Sequence, residues 1–126
     1  MPLVRITLRK GRSSEFLRDA SNAVHDALVA TANVPADDKF HIIEEVDDDR
    51  LVGHPTYGGV TRGEGLIVIQ ITLNAGRTLD VKRALYADIA ERLQESVDVR
   101  PDDVLINLVE VTKENWSFGG GRMTYG

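Results

Sequence analysis

The groups in this sequence best suited to chemistry are a proline directly behind the initiator methionine, arginines at helix mouths, turn aspartates, and two aromatics in a glycine-rich tail. Pro2 leads. Once Met1 is removed, Pro2 carries a secondary amine, held by its ring and by the apolar strand Leu3-Val4-Arg5-Ile6-Thr7-Leu8. A free α-amino group titrates near ~7.7–8.0, and an apolar pocket or a neighbouring cation lowers that value by disfavouring the charged form. Such an amine could serve as a general base at neutral pH. A Met-Pro start is also common, and taken alone it can be no more than the beginning of a strand.

Arg77 follows the third expected strand at the mouth of the second helix, where open amide donors and a planar guanidinium suit an anion. Arg12 holds the same place in the first half, so both also read as solvated first-turn residues. Asp38 and Asp103 lie in matching turns, where aspartate usually satisfies nearby backbone amides. One of them could instead orient a water or hold the terminal amine. Trp116 and Phe118, beside Gly119, Gly120 and Gly121, either plug a gap in the core or an interface, or wall a pocket for a small substrate. His25, His41 and His54 lack metal-ligand spacing, and His25 reads as a structural residue of the first helix. No metal and no cofactor is expected.

Composition bounds the class. The 126 residues, 42% of them hydrophobic and with a net charge of −5, fit one domain able to bury its own core. The absence of cysteine excludes thiol catalysis, disulfides and cysteine-ligated zinc. A mildly acidic chain without a basic stripe predicts no nucleic-acid partner. No signal-like segment and no apolar run near ~18 residues is present, so a cytoplasmic protein without membrane contact is expected.

The elements that must position these groups come in two copies. Shifted by 65 positions, the chain falls on itself: Ile6-Thr7-Leu8 on Ile71-Thr72-Leu73, Gly11-Arg12-Ser13 on Gly76-Arg77-Thr78, Val34 on Val99, Asp37-Asp38 on Asp102-Asp103, Glu45-Val46 on Glu110-Val111. Each copy reads as strand, capped helix and strand. Leu3 to Leu8 alternates, Ser13 or Ser14 caps a helix carrying Phe16, Ala20, Val24, Ala27, Leu28 and Thr31 on one face, and Pro35 marks its end before the strand Lys39 to Val46. In the second copy Leu66 to Leu73 precedes a helix capped by Thr78 and striped by Leu85, Ile89, Leu93 and Val97; the strand Val104 to Val111 follows.

Strand, crossover helix and strand require a right-handed parallel connection. The expected fold is therefore α+β, a duplicated βαβ unit with a four-stranded, mainly parallel-paired sheet and both helices on one face. It forms a single domain: repeat one 2–46, connecting loop 47–65, repeat two 66–111 and tail 112–126. Loop 47–65, with at best a short hairpin, and the tail are too small to cover the other sheet face, which predicts packing between subunits as a homotrimer.

The duplicated βαβ unit behind Met1-Pro2-Leu3, with Val34-Pro35-Ala36-Asp37-Asp38, Lys82-Arg83-Ala84-Leu85-Tyr86, Pro101-Asp102-Asp103-Val104 and above all Trp116-Ser117-Phe118-Gly119 followed by Arg122, resembles the tautomerase superfamily. Within it the chain is most similar to the malonate semialdehyde decarboxylase group. The resemblance implies trimers built around a catalytic amino-terminal proline. It makes Pro2 the proton-transferring amine, Asp38 its hydrogen-bonding partner, Arg77 the clamp on a small carboxylate substrate, and Trp116 and Phe118 an apolar wall. The decarboxylase pattern carries a second arginine two residues before the first, and here that position is Ala75. Loss of one charged donor commonly costs ~1.5–3 kcal/mol. The expectation is therefore keto–enol tautomerisation of a small oxo acid, with decarboxylation or hydration as the rival and a non-catalytic trimeric small-acid-binding protein as the remaining alternative.

Overall fold

The computed structural model describes residues 1–125. Its elements are β1 (Pro2–Arg9), α1 (Ser14–Thr31), β2 (His41–Val46), β3 (Ile67–Asn74), α2 (Leu79–Val97) and β4 (Val104–Val111), with 3-10 turns at Asp48–Arg50, Pro101–Asp103 and Lys113–Asn115. The sheet order is β2-β1-β3-β4. β1 pairs with β2, and β3 with β4, in parallel, while the central β1–β3 pair is antiparallel. That is the duplicated βαβ architecture expected from the sequence.

Alternation along the central strands decides which face meets the helices. Val4, Ile6 and Leu8 of β1 and Ile67, Ile69, Ile71 and Leu73 of β3 form one core with Ala20, Val24, Ala27 and Leu28 of α1 and Leu85, Ile89 and Leu93 of α2. Each of these side chains is at most 2% exposed. Full burial of one such aliphatic side chain contributes ~1.5–3 kcal/mol, so this layer dominates the stability. The helices are capped as their sequences suggest: the Ser13 hydroxyl accepts from the Phe16 amide at 3.0 Å, and that of Thr78 from the Val81 amide at 3.2 Å.

The backbone repeats along with the sequence. Gly11 and Gly76 have φ of 123° and 124°, and the helix ends turn through Asn33 and Asp98 at 58° and 56°. α1 accordingly stops at Thr31, earlier than Pro35 alone suggested. Asn33 takes the left-handed conformation and the Val34 amide turns back to the Leu28 carbonyl. The 3-10 turns Asp48–Arg50 and Lys113–Asn115 superpose under the same shift, so the duplication runs on into the connecting loop and the tail.

The opposite sheet face carries Ile42, Leu105 and Val109, which are 38%, 39% and 37% exposed. Among the described residues loop 47–65 contains no hairpin. After its 3-10 turn, Leu51, Val52 and Tyr57 enclose a cavity of about 200 Å³ with Val68 and Leu105 of that face, so the loop covers one corner of it. Across the middle runs a polar belt in which Arg5 pairs with Glu44 and Gln70 donates to Asn107.

Candidate active site

The antiparallel centre of the sheet brings the start of β1 to the end of β3: Pro2 lies opposite Leu73, and Asn74, the last residue of β3, is aligned with Val111 at the end of β4. Pro2 is buried. The chain start, the turn from Asn74 to Arg77 and the root of the tail thus meet at one end of the sheet.

Asp38 reaches that end from the turn before β2. Its carboxylate lies 3.0 Å from the amine of Met1, with side chains only 18% and 9% exposed. The turn is closed by the Asp38 amide donating to the Pro35 carbonyl at 3.0 Å, and from α1 the His25 Nε2–H donates to the Ala36 carbonyl at 2.8 Å. The matching Asp103 accepts from the Gly63 amide at 2.7 Å, beside Arg100. Both aspartates therefore hold the chain as it enters a central strand. In the second repeat the group held is a backbone amide, and in the first it is the amino terminus.

Arg77 is part-buried, which corrects the reading of a solvated first-turn residue. Its Nε and Nη2 donate to the Ala32 carbonyl at 3.2 and 3.1 Å, and its Nη1 to the Asn74 carbonyl at 3.1 Å. Three of the five guanidinium N–H groups are directed at backbone, which leaves two for a ligand. Arg12 repeats part of this, donating to the Arg9 carbonyl and lying over the Phe16 ring. At the mouth of α2 stands Glu110, 2.9 Å from Lys82. The Lys82 bond first, then the Gly76 amide and the Arg77 charge, hold its carboxyl below the usual carboxylate range. An incoming anion at this helix mouth meets a cation cluster already partly balanced by that carboxylate.

The tail is an ordered cap. Trp116 Nε1–H donates to Asn74 Oδ1 at 2.7 Å, Asn74 Nδ2 donates to the Tyr125 hydroxyl at 3.3 Å, and Phe118 packs edge-on against both Trp116 and Tyr125. Phe118, Gly119, Arg122, Met123 and Thr124 line a cavity of about 420 Å³. Pro2 and Arg77 are not part of its lining. Within one subunit the aromatic wall and the amine thus share an end of the sheet but not a closed pocket.

Asn74 and Tyr125 escaped the sequence reading as site-forming residues. For Asn74 a signal existed, because its repeat counterpart Arg9 does the same work: Arg9 donates to the carbonyls of Asp48, Leu51 and Glu64 and so fastens the segment after repeat one, as Asn74 fastens the segment after repeat two. Tyr125 sits beyond the repeated part and gave none. No group of three or more metal-ligating side chains occurs among the described residues.

Family models described as tautomerase enzyme match residues 38–119 and residues 2–60. A probable tautomerase of Bacillus subtilis strain 168, YusQ, is 41% identical over 97% of this chain and 96% of its own length. The crystal structure of FG41 malonate semialdehyde decarboxylase inhibited by 3-bromopropiolate superposes with a TM-score of 0.91 at 36% identity, covering 98% of this chain and 93% of that one. A fused 4-OT described as a symmetric trimer shares the fold, with a TM-score of 0.79 at 22% identity over 95% of this chain and 94% of that one.

Proposed function

The chain belongs to the tautomerase family, and from that premise we propose that it moves a proton on a small oxo acid with the ring nitrogen of Pro2, freed by removal of Met1. The observation that carries this reading is the amine–carboxylate pair at 3.0 Å between the chain terminus and Asp38, at the end of the sheet where the Asn74–Arg77 turn also lies. Removing Met1 moves the amine one residue inward, to the buried ring of Pro2. In its neutral form that nitrogen takes the enol hydroxyl proton and returns a proton to carbon, while Asp38 stabilises the ammonium that forms between the two steps. The two free N–H groups of Arg77 hold the substrate carboxylate. Trp116 and Phe118 supply the apolar wall.

A homotrimer is part of the proposal. The exposed Ile42, Leu105 and Val109 on the uncovered sheet face support it, as does the trimeric relative. Packing of that face between subunits is what closes the cleft around Pro2.

Decarboxylation of malonate semialdehyde is the second reading, favoured by the 36% identity to a decarboxylase. Ala75 argues against it, because the pair of guanidiniums that would turn a carboxylate and polarise a carbonyl is reduced to one. Screening enols of 2-oxo acids against malonate semialdehyde, after intact-mass measurement of the terminus, separates the two. Tautomerisation predicts a rate that rises with pH as Pro2 loses its proton, and an acid role for Pro2 predicts a fall. Pro2→Ala, which leaves a primary amine, should lower kcat by about ten- to a hundredfold. Unchanged turnover by protein with a blocked terminus defeats both readings. 3-Bromopropiolate, which inhibits the relative, is an independent probe: the neutral Pro2 nitrogen should add to C3 of its triple bond while the ring N–H proton passes to C2, which ends turnover and adds the mass of the whole acid to the amino-terminal peptide.

A further inference from the structure

The two repeats differ sharply in one place, the seam between each helix and its edge strand. In repeat one this seam holds Ser21, His25 and His41. Ser21 and His25 are each 7% exposed, and the His41 Nδ1 is 2.8 Å from the Ser21 hydroxyl. The two imidazoles meet edge-on with centroids 6.0 Å apart. The same positions in repeat two are Tyr86, Ala90 and Ile106, which with Val104 line an open cavity of about 210 Å³. The second repeat therefore shows that this fold is satisfied by a seam without histidine, with alanine in the place of His25.

Repeat one retains a costlier solution. The His25 Nδ1 and the His41 Nε2 are buried without a hydrogen-bond partner among the described residues, and a buried polar atom left unpaired costs ~1–3 kcal/mol. What His25 gains is a bond through its other nitrogen, from Nε2–H to the carbonyl of Ala36, in the short turn that ends at Asp38. In repeat two the corresponding turn is braced from outside, by Arg100 beside Asp103. Departures from a self-consistent core are expected where function requires them, and this one contacts the turn whose last residue, Asp38, receives the chain terminus.

We propose that His25 is a positioning residue: by fixing the Ala36 carbonyl it locks the 35–38 turn and aims the Asp38 carboxylate at the terminal amine. This rests on the proposed role of Pro2, which it deepens. The His41 ring, held by Ser21, backs the His25 ring in turn, and the Lys39 charge acts on His41. The physical requirement is rigidity. A turn aspartate free to rotate would be solvated and would support the amine's charge only part of the time.

The test uses protein with its terminus verified as Pro2 and reads, by nitrogen NMR without substrate, the pH at which the ring nitrogen deprotonates. Asp38→Asn should lower that midpoint by about one unit, since a carboxylate within reach favours the charged amine. His25→Ala should lower it in the same direction, and should add nothing when Asp38 is already Asn. His25→Gln, whose amide N–H can reach the Ala36 carbonyl, should restore the wild-type midpoint. In turnover, His25→Ala should lower kcat several-fold with KM little changed. If His25→Ala does not fold, His25→Leu fills the space without the donor and carries the same expectations. A midpoint unmoved by loss of the donor, or moved equally with and without the Asp38 carboxylate, overturns the proposal. Because the titration needs no substrate, absence of turnover with this coupling intact would defeat the proposed reaction alone.

Discussion

At the scale of single residues, Arg77 has two duties that pull apart in a measurement. Its guanidinium joins the carbonyl at the end of α1 to the carbonyl at the end of β3, so Arg77→Ala should lose about 1.5–3 kcal/mol of stability from charged hydrogen bonds as well as affinity for a carboxylate. A urea midpoint equal to wild type would mean that these bonds contribute nothing to stability. His41 offers a second prediction. Burial first, with repulsion from Lys39 and His25, pushes its pKa down to about 4 from the ordinary 6.5. The unfolded ring binds a proton that the folded ring resists, so stability contributed by the neutral ring is lost as the pH falls from 6.5 towards 4. Allowing for the partly exposed ring, the loss is on the order of 1 kcal/mol by pH 5. His41→Gln removes this titration, and unfolding curves of the two proteins should converge on acidification. Parallel curves would show that the ring takes up its proton without cost.

At the scale of elements, the segments that follow the two repeats are counterparts with different chemistry. Each begins with a 3-10 turn and each is fastened by the residue at the end of a central strand, Arg9 in one case and Asn74 in the other. Arg9 makes its contacts through backbone carbonyls, which any sequence could supply, whereas Asn74 selects Trp116 and Tyr125 by their side chains. Asn74→Ala should therefore free the tail specifically. The expected result is faster amide exchange across residues 116–125, with β3 and α2 unchanged and about 1 kcal/mol lost per neutral hydrogen bond removed. Unaltered exchange in the tail would mean that the edge-on aromatic packing alone secures it.

At the scale of the whole molecule, the sheet separates a finished face from an unfinished one. The helix-side core is closed, and the other face keeps Ile42, Leu105 and Val109 more than a third exposed around its polar belt. Light scattering should give a mass near three times the 13.9 kDa chain. Val109→Asp places an unpaired charge on that face and should dissociate the assembly, with loss of activity, while the helix signature of the folded chain persists. A monomeric wild-type protein that is fully active would remove the trimer and its shared cleft from the proposed function.

Features that depend on local pattern are legible along the chain. The 65-residue repeat, a cap at Ser13 or Ser14 and another at Thr78, the alternation of β1, the apolar run of β3 and the break at Gly11 are all set by a few neighbouring residues, and they suffice to specify a duplicated βαβ sheet. The same local reading pointed to Pro2 but left Asp38 level with Asp103 and Arg77 level with Arg12, and it was the resemblance to the tautomerase superfamily that chose between them. What those groups touch follows from the folded chain, because the partners lie far apart in sequence: Arg77 meets Ala32, Trp116 meets Asn74, and Asp38 meets the amine of Met1. The fold also decided that His25, which reads as an ordinary helix residue, stands behind the Asp38 turn, since an imidazole's role follows from which carbonyl the fold sets against it. Spacing along the chain fixes periodicity and caps; which donor finds which acceptor is fixed by packing, where an unpaired buried group costs as much as several local preferences combined.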